Sequence, residues 1–108
     1  RIKMLNESIR LHGYSYYPIP YINICEYELD KEVVDLVSED LIQQYKIIPL
    51  DLITNNLTIG MVDPTQEKVD NLKKELKPYY LLFFIIEENH FHLKLKEYKN
   101  EHRTLNNV

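Results

Sequence analysis
The chain of 108 residues has one cysteine, Cys25, two glycines, Gly13 and Gly60, and no tryptophan. A single cysteine forms no internal disulfide and no cysteine-based zinc site, and it suits a reducing cytoplasm. With glycines only at positions 13 and 60, neither a glycine-rich phosphate loop nor a dinucleotide fingerprint can be written, so P-loop nucleotide hydrolysis is excluded for this polypeptide. The longest apolar run, "YYLLFFII" at 79–86, is under half of the ~20 residues that span a bilayer. The opening "RIKMLNESIR" lacks the apolar stretch and small-residue cleavage site of a signal peptide. Because the chain opens on Arg1, it reads as a fragment. Basic residues are outnumbered 13 to 17 by acidic ones and are scattered, which argues against a nucleic-acid partner.

What is present describes a small globular domain. Apolar residues at 44% and charged residues at 28% can support a core, so disorder is expected only at the ends. In "RIKMLNESIRLHG", Ile2, Leu5 and Ile9 have near-helical spacing and Gly13 is a plausible stop. The prolines of "YSYYPIPYINI" forbid helix, and residues 20–24 are expected as a strand. In "LDKEVVDLVSEDLIQQYK", Asp30 and Ser38 are successive caps for two short helices within 31–46.

"IIPLDLI" and "LTIGMV" flank Thr54, Asn55 and Asn56, predicting an antiparallel hairpin of strands 47–53 and 57–62 in which asparagine takes the tight-turn conformation. Pro49 places the first strand at an edge, or sits where its missing N–H faces outward. Asp63 is expected as an N-cap with Pro64 at the first helical position and Gln66 at the third, for a helix over 64–77 that buries Val69, Leu72 and Leu76. Pro78 ends it, and "YYLLFFIIE" supplies a strand parallel to 57–62, completing a βαβ unit over 57–86. A last helix begins near 87–89 with Phe91, Leu95 and Tyr98 on one face, and a flexible polar tail covers 99–108. The fold class is α+β: a three- to four-stranded mixed sheet with helices packed on it.

Chemistry-bearing constellations are few. His90 and His92 share a face only on a strand and diverge on a helix, with no cysteine or further histidine near them in sequence, so no metal site is expected. Cys25 with His12 as its base lacks an orienting third group. No catalytic residue and no cofactor are assigned. Nine tyrosines and three phenylalanines, crowded around prolines in "YSYYPIPY", suit either a binding face or a core whose hydroxyls reach the surface; core use is favoured.

A more specific signal is an ordered set of short motifs: Ile19, Pro20 and Tyr21; Glu39 and Leu41; Tyr45, Pro49 and Leu50; Met61, Asp63, Pro64 and Thr65. In this order they resemble the second, α/β half of the N-terminal domain of type II secretion and type IV pilus assembly ATPases, over about residues 19–98. Residues 1–18 would then be a remnant of an upstream helical region. The family's ATPase activity belongs to a separate downstream domain. The resemblance therefore implies a non-catalytic interaction module, or a stand-alone relative, that docks onto an inner-membrane platform component or its own ATPase domain. It would be cytoplasmic and peripheral to the inner membrane through that partner.

Members that bind cyclic di-GMP use paired Arg-Leu-Gly motifs. Here "IRLHG" interposes His12 and occurs once, so this dinucleotide is not expected to bind. The alternative is a cyclic di-GMP regulatory domain whose main motifs are missing or altered. Ser38 and the pair Gln43 and Gln44 also depart from the family's usual proline and basic residues. Strand 81–86 is apolar on both faces, and Leu81, Phe83 and Ile85, with Phe91 and Leu95 beside them, are the candidate interface for a homodimer or the platform protein; the equal alternative is a fully buried central strand under the final helix.

Overall fold
The computed structural model describes residues 19–106, with side chains through residue 101. The expected helix ending at Gly13 and the upstream remnant to residue 18 lie outside the described residues.

Helix α1, Lys31–Val34, starts at Asp30, whose carboxylate accepts the Glu32 N–H at 2.9 Å. Helix α2, Glu39–Tyr45, starts at Ser38, whose hydroxyl accepts the Leu41 N–H at 3.3 Å. Both caps lie where the sequence places them, because each satisfies a donor that the first helical turn leaves unpaired. Lys46 ends α2 in the left-handed conformation, φ 53°, and its carbonyl accepts the Val62 N–H at 3.1 Å. This bond ties the helix end to the sheet.

The sheet has the order β1-β2-β3: β1 (Ile47–Ile53) pairs antiparallel with β2 (Asn56–Met61), which pairs parallel with β3 (Tyr80–Ile85). The register shifts between Pro49 and Asp51, a bulge in the edge strand β1. In the hairpin turn the positive φ, 55°, belongs to Thr54 and not to either asparagine. Asn55 is held otherwise: its carbonyl accepts the Tyr80 N–H at 2.9 Å and its side-chain amide donates to the Pro78 carbonyl at 3.2 Å. The β3 junction thus claims Asn55, and Thr54 takes the left-handed position.

Helix α3, Gln66–Glu75, forms the crossover between the parallel strands, as the βαβ pattern requires. Helix α4 runs Glu88–Asn106. It continues past Lys99, where a tail was expected.

The expected strand at 20–24 is reduced to one parallel bridge, Tyr21 to Ile85. A 3-10 turn, Ile24–Glu26, begins at once, with the Asn23 side chain accepting the Cys25 N–H at 3.0 Å, and it sets Ile24 fully into the core.

One apolar cluster joins the layers: Leu57, Ile59 and Met61 from β2, Ile47 and Ile48 from β1, Val69 and Leu72 from α3, Val34 and Ile42 from α1 and α2, and Phe91 from α4. At about 25 cal/mol per Å² of buried apolar area, these side chains dominate the driving force for folding. Gly60 is the one described position where missing bulk matters, since Leu50 and Ile86 close over it.

Candidate functional site
The Asp-Pro-Thr corner joins β2 to α3. The residue that caps α3 is Thr65, in extended conformation (φ -125°, ψ 159°), whose hydroxyl accepts the Lys68 N–H at 3.2 Å. The expected cap of Asp63, Pro64 and Gln66 is therefore displaced. Gln66 becomes the first helical residue and donates to Asp70 at 3.1 Å, and Pro64 precedes the helix. Asp63 is exposed and lies 3.6 Å from the Lys68 ammonium. Both Asp63 and Thr65 carry a competent oxygen, and the helix begins after the later one.

Of the candidate interface residues, Ile85, Phe91 and Leu95 are buried within the monomer, while Leu81 and Phe83 are half-buried on β3. The parallel register sets Leu81, Phe83 and Ile85 beside Leu57, Ile59 and Met61, on the most deeply buried face of the sheet. Three exposed apolar side chains of the sheet are on the opposite face: Leu82 (54%), Tyr80 (71%) and Ile53 (65%). Ile53, Asn56 and Tyr80 form one row across the three strands, and Asp51, Thr58 and Leu82 the next. Alternation alone separates the two sets of β3; only cross-strand register says which is covered.

A small cleft of about 100 Å³ opens between α1, α2 and α4, lined by Val34, Val37, Ile42 and Leu95, with Asp35, Glu39, Tyr98 and Lys99 at its mouth. The surrounding segment 26–40 carries Glu26, Glu28, Asp30, Glu32, Asp35, Glu39 and Asp40 against Lys31 alone. Lys31 pairs with Asp35 at 2.6 Å and Lys99 with Glu39. The Tyr98 hydroxyl points to Asp35 at 3.5 Å; burial first, and then the negative charge of Asp35, push its pKa up to about 12. Sequence periodicity found the helix faces but not this cleft, since three separate elements build it.

At the start of α4, Lys46 reaches Glu88, and His92 Nε2 lies 3.3 Å from the same carboxylate. The bond from Lys46, then that from His92, holds Glu88 below the usual glutamate range. His90 lies 4.0 Å from Glu87, whose other oxygen accepts the Tyr21 hydroxyl at 2.8 Å. On α4 the two histidines thus serve different carboxylates. Among the described residues no group of three or more His, Cys, Asp or Glu is arranged to hold a metal, and no helix is long and apolar enough to cross a membrane. Cys25 is exposed in the 3-10 turn.

Among solved structures, the chain is similar to MshE with cdg (cyclic di-GMP), at 20% identity and a TM-score of 0.72, over 91% of this chain and 68% of that one. It is also similar to the N-terminal domain of XpsE, at 11% identity and a TM-score of 0.61, over 88% of this chain and 64% of that one. At these identities the likeness establishes a shared fold. No curated protein matches the chain. The MshEN domain model matches residues 17–105. By that match and by its ordered motifs, the chain belongs to the MshEN domain family, the N-terminal domains of type II secretion and type IV pilus assembly ATPases.

Proposed function
We propose that this chain is a non-catalytic docking module of a secretion or pilus assembly ATPase, joining it to an inner-membrane platform component on the cytoplasmic side. The observation that carries the reading is the cleft between α1, α2 and α4, apolar at its base and set in a strongly acidic segment. Its volume suits one apolar anchor side chain, and the acidic surroundings suit flanking Lys or Arg on the partner. Among the described residues, Lys31–Asp35, Lys46–Glu88 and His92–Glu88 are ion pairs and Asp30 caps α1, so these groups serve local structure.

The test is calorimetry of the full chain against the cytoplasmic segment of the platform component. Glu28→Lys combined with Asp35→Asn should weaken binding about tenfold or more, with the melting temperature nearly unchanged. Equal binding by the variant, or none by the wild type, removes the proposal.

A second reading, a cyclic di-GMP regulatory domain, is favoured by the similarity to MshE with that ligand. Guanine and phosphate recognition calls on arginine. The chain's arginines are Arg1, Arg10 and Arg103, all outside the residues whose side chains are described.

A further inference from the structure
At about 100° per residue, Tyr98, Leu95, Lys99, His92 and Lys96 follow one another in that order around α4. Leu95 is buried, and Tyr98 stands on the side of the acidic cleft. On the other side of Leu95 a second depression, of about 350 Å³, opens between α4 and α2, lined by Gln43, His92, Leu95, Lys96, Lys99 and Asn100. Leu95 and Lys99 belong to both depressions. The ion pair of Lys99 with Glu39 is therefore a partition between two neighbouring pockets.

The two pockets differ in charge. Asp35 and Glu39 line the cleft, whereas no carboxylate lines the second depression. The cations of the second are unequally engaged. Glu39 holds Lys99 and Glu88 holds His92, but Lys96 is exposed and makes no ion pair or hydrogen bond among the described residues. One free ammonium beside the Gln43 amide matches a single carboxylate. A phosphate, with up to two charges and three acceptor oxygens, calls for more donors than this.

We propose that the protein partner docked at the cleft also places one carboxylate on Lys96. The partner is then recognised by an ordered charge pattern: a cation against Glu28 and Asp35, an apolar anchor in the cleft, and an anion at Lys96. This inference rests on the docking reading and adds the chemistry and orientation of the partner segment. Tyr98 and Lys96 stand about 160° apart around α4, which is about 10 Å across a helix of this diameter. Two turns of a partner helix, about 11 Å, cover that distance. The segment is accordingly an amphipathic helix that crosses the Lys99–Glu39 pair. It carries Lys or Arg and Asp or Glu seven residues apart, with an apolar side chain midway between them on the same face. Turned end for end, its cation would meet Lys96 and its carboxylate would meet Asp35, so opposed like charges fix one orientation.

Calorimetry of the full chain against the cytoplasmic segment of the platform component separates this proposal from the docking reading. Lys96→Glu should weaken binding about tenfold or more, and Lys96→Arg should bind as the wild type does. Neither should move the melting temperature, since Lys96 is exposed and outside the ion pairs described. Reversing the segment's own carboxylate, seven residues from its cation, to lysine should weaken binding to the wild type and restore it to Lys96→Glu. Binding that is lost with Glu28→Lys and Asp35→Asn but unchanged in Lys96→Glu keeps the docking cleft and overturns this proposal. So does a loss in Lys96→Glu that the reversed segment fails to recover. No binding by the wild type removes both.

Discussion

Gly60 on β2 lies so close under Ile86 that a Cβ added to it would stand 2.9 Å from Ile86 Cγ2 and 3.3 Å from its Cδ1. Ile86 is fully buried, and its Cγ2 is fixed to the branched Cβ, so it cannot swing aside as the end of a flexible chain would. Gly60→Ala should therefore destabilise the domain by about 1–3 kcal/mol, the usual range for overpacking. Urea midpoints of the two proteins check it; equal midpoints would show that the layer yields freely.

Thr65 and Asp63 compete for one role, and the hydroxyl of Thr65 holds it. Thr65→Ala should cost about 1 kcal/mol of stability. Asp63→Ala should cost a few tenths at most, since an exposed pair at 3.6 Å is worth little. Chemical denaturation of both variants ranks them, and the reverse order would restore Asp63 as the cap.

The Tyr98 hydroxyl, with its pKa raised to about 12, links stability to alkaline pH. A proton held more tightly in the folded state leaves the unfolded chain first. The contribution is therefore complete below pH 10 and is lost as pH rises from 10 through about 12. In an ultraviolet titration one tyrosine should ionise later than the rest. Asp35→Asn should bring it part of the way back, burial and the charge of Asp30 sustaining the remainder. A titration in which Tyr98→Phe removes no late component refutes the assignment.

Cyclic di-GMP should give no calorimetric heat of binding with this chain at micromolar concentration, because paired Arg-Leu-Gly motifs are absent. Binding that disappears in Arg10→Ala would shift the function to the regulatory reading. Purified chain should likewise release no phosphate from ATP above a protein-free blank.

Signals carried by residues close in sequence were legible. Asp30 and Ser38 announce α1 and α2 because a cap bonds within its own first turn. The spacing of Phe91 and Leu95 announces the buried stripe of α4 because helical period is local. The two strands around the turn at 54–55, and a crossover of helical length before "YYLLFFII", define the hairpin and the βαβ unit for the same reason. What only the tertiary structure decided depends on distant partners. Tyr21 forms a single bridge because Ile85 meets it and Asn23 then turns the chain. Thr54 adopts positive φ because Asn55 is held by Tyr80 and Pro78. Leu82 is exposed while Phe83 is half covered because the register with β2 assigns each to a face, and the apolar run alone is equally greasy on both. Period and caps are written in neighbouring residues; the choice between two equivalent faces is made only when a second strand arrives.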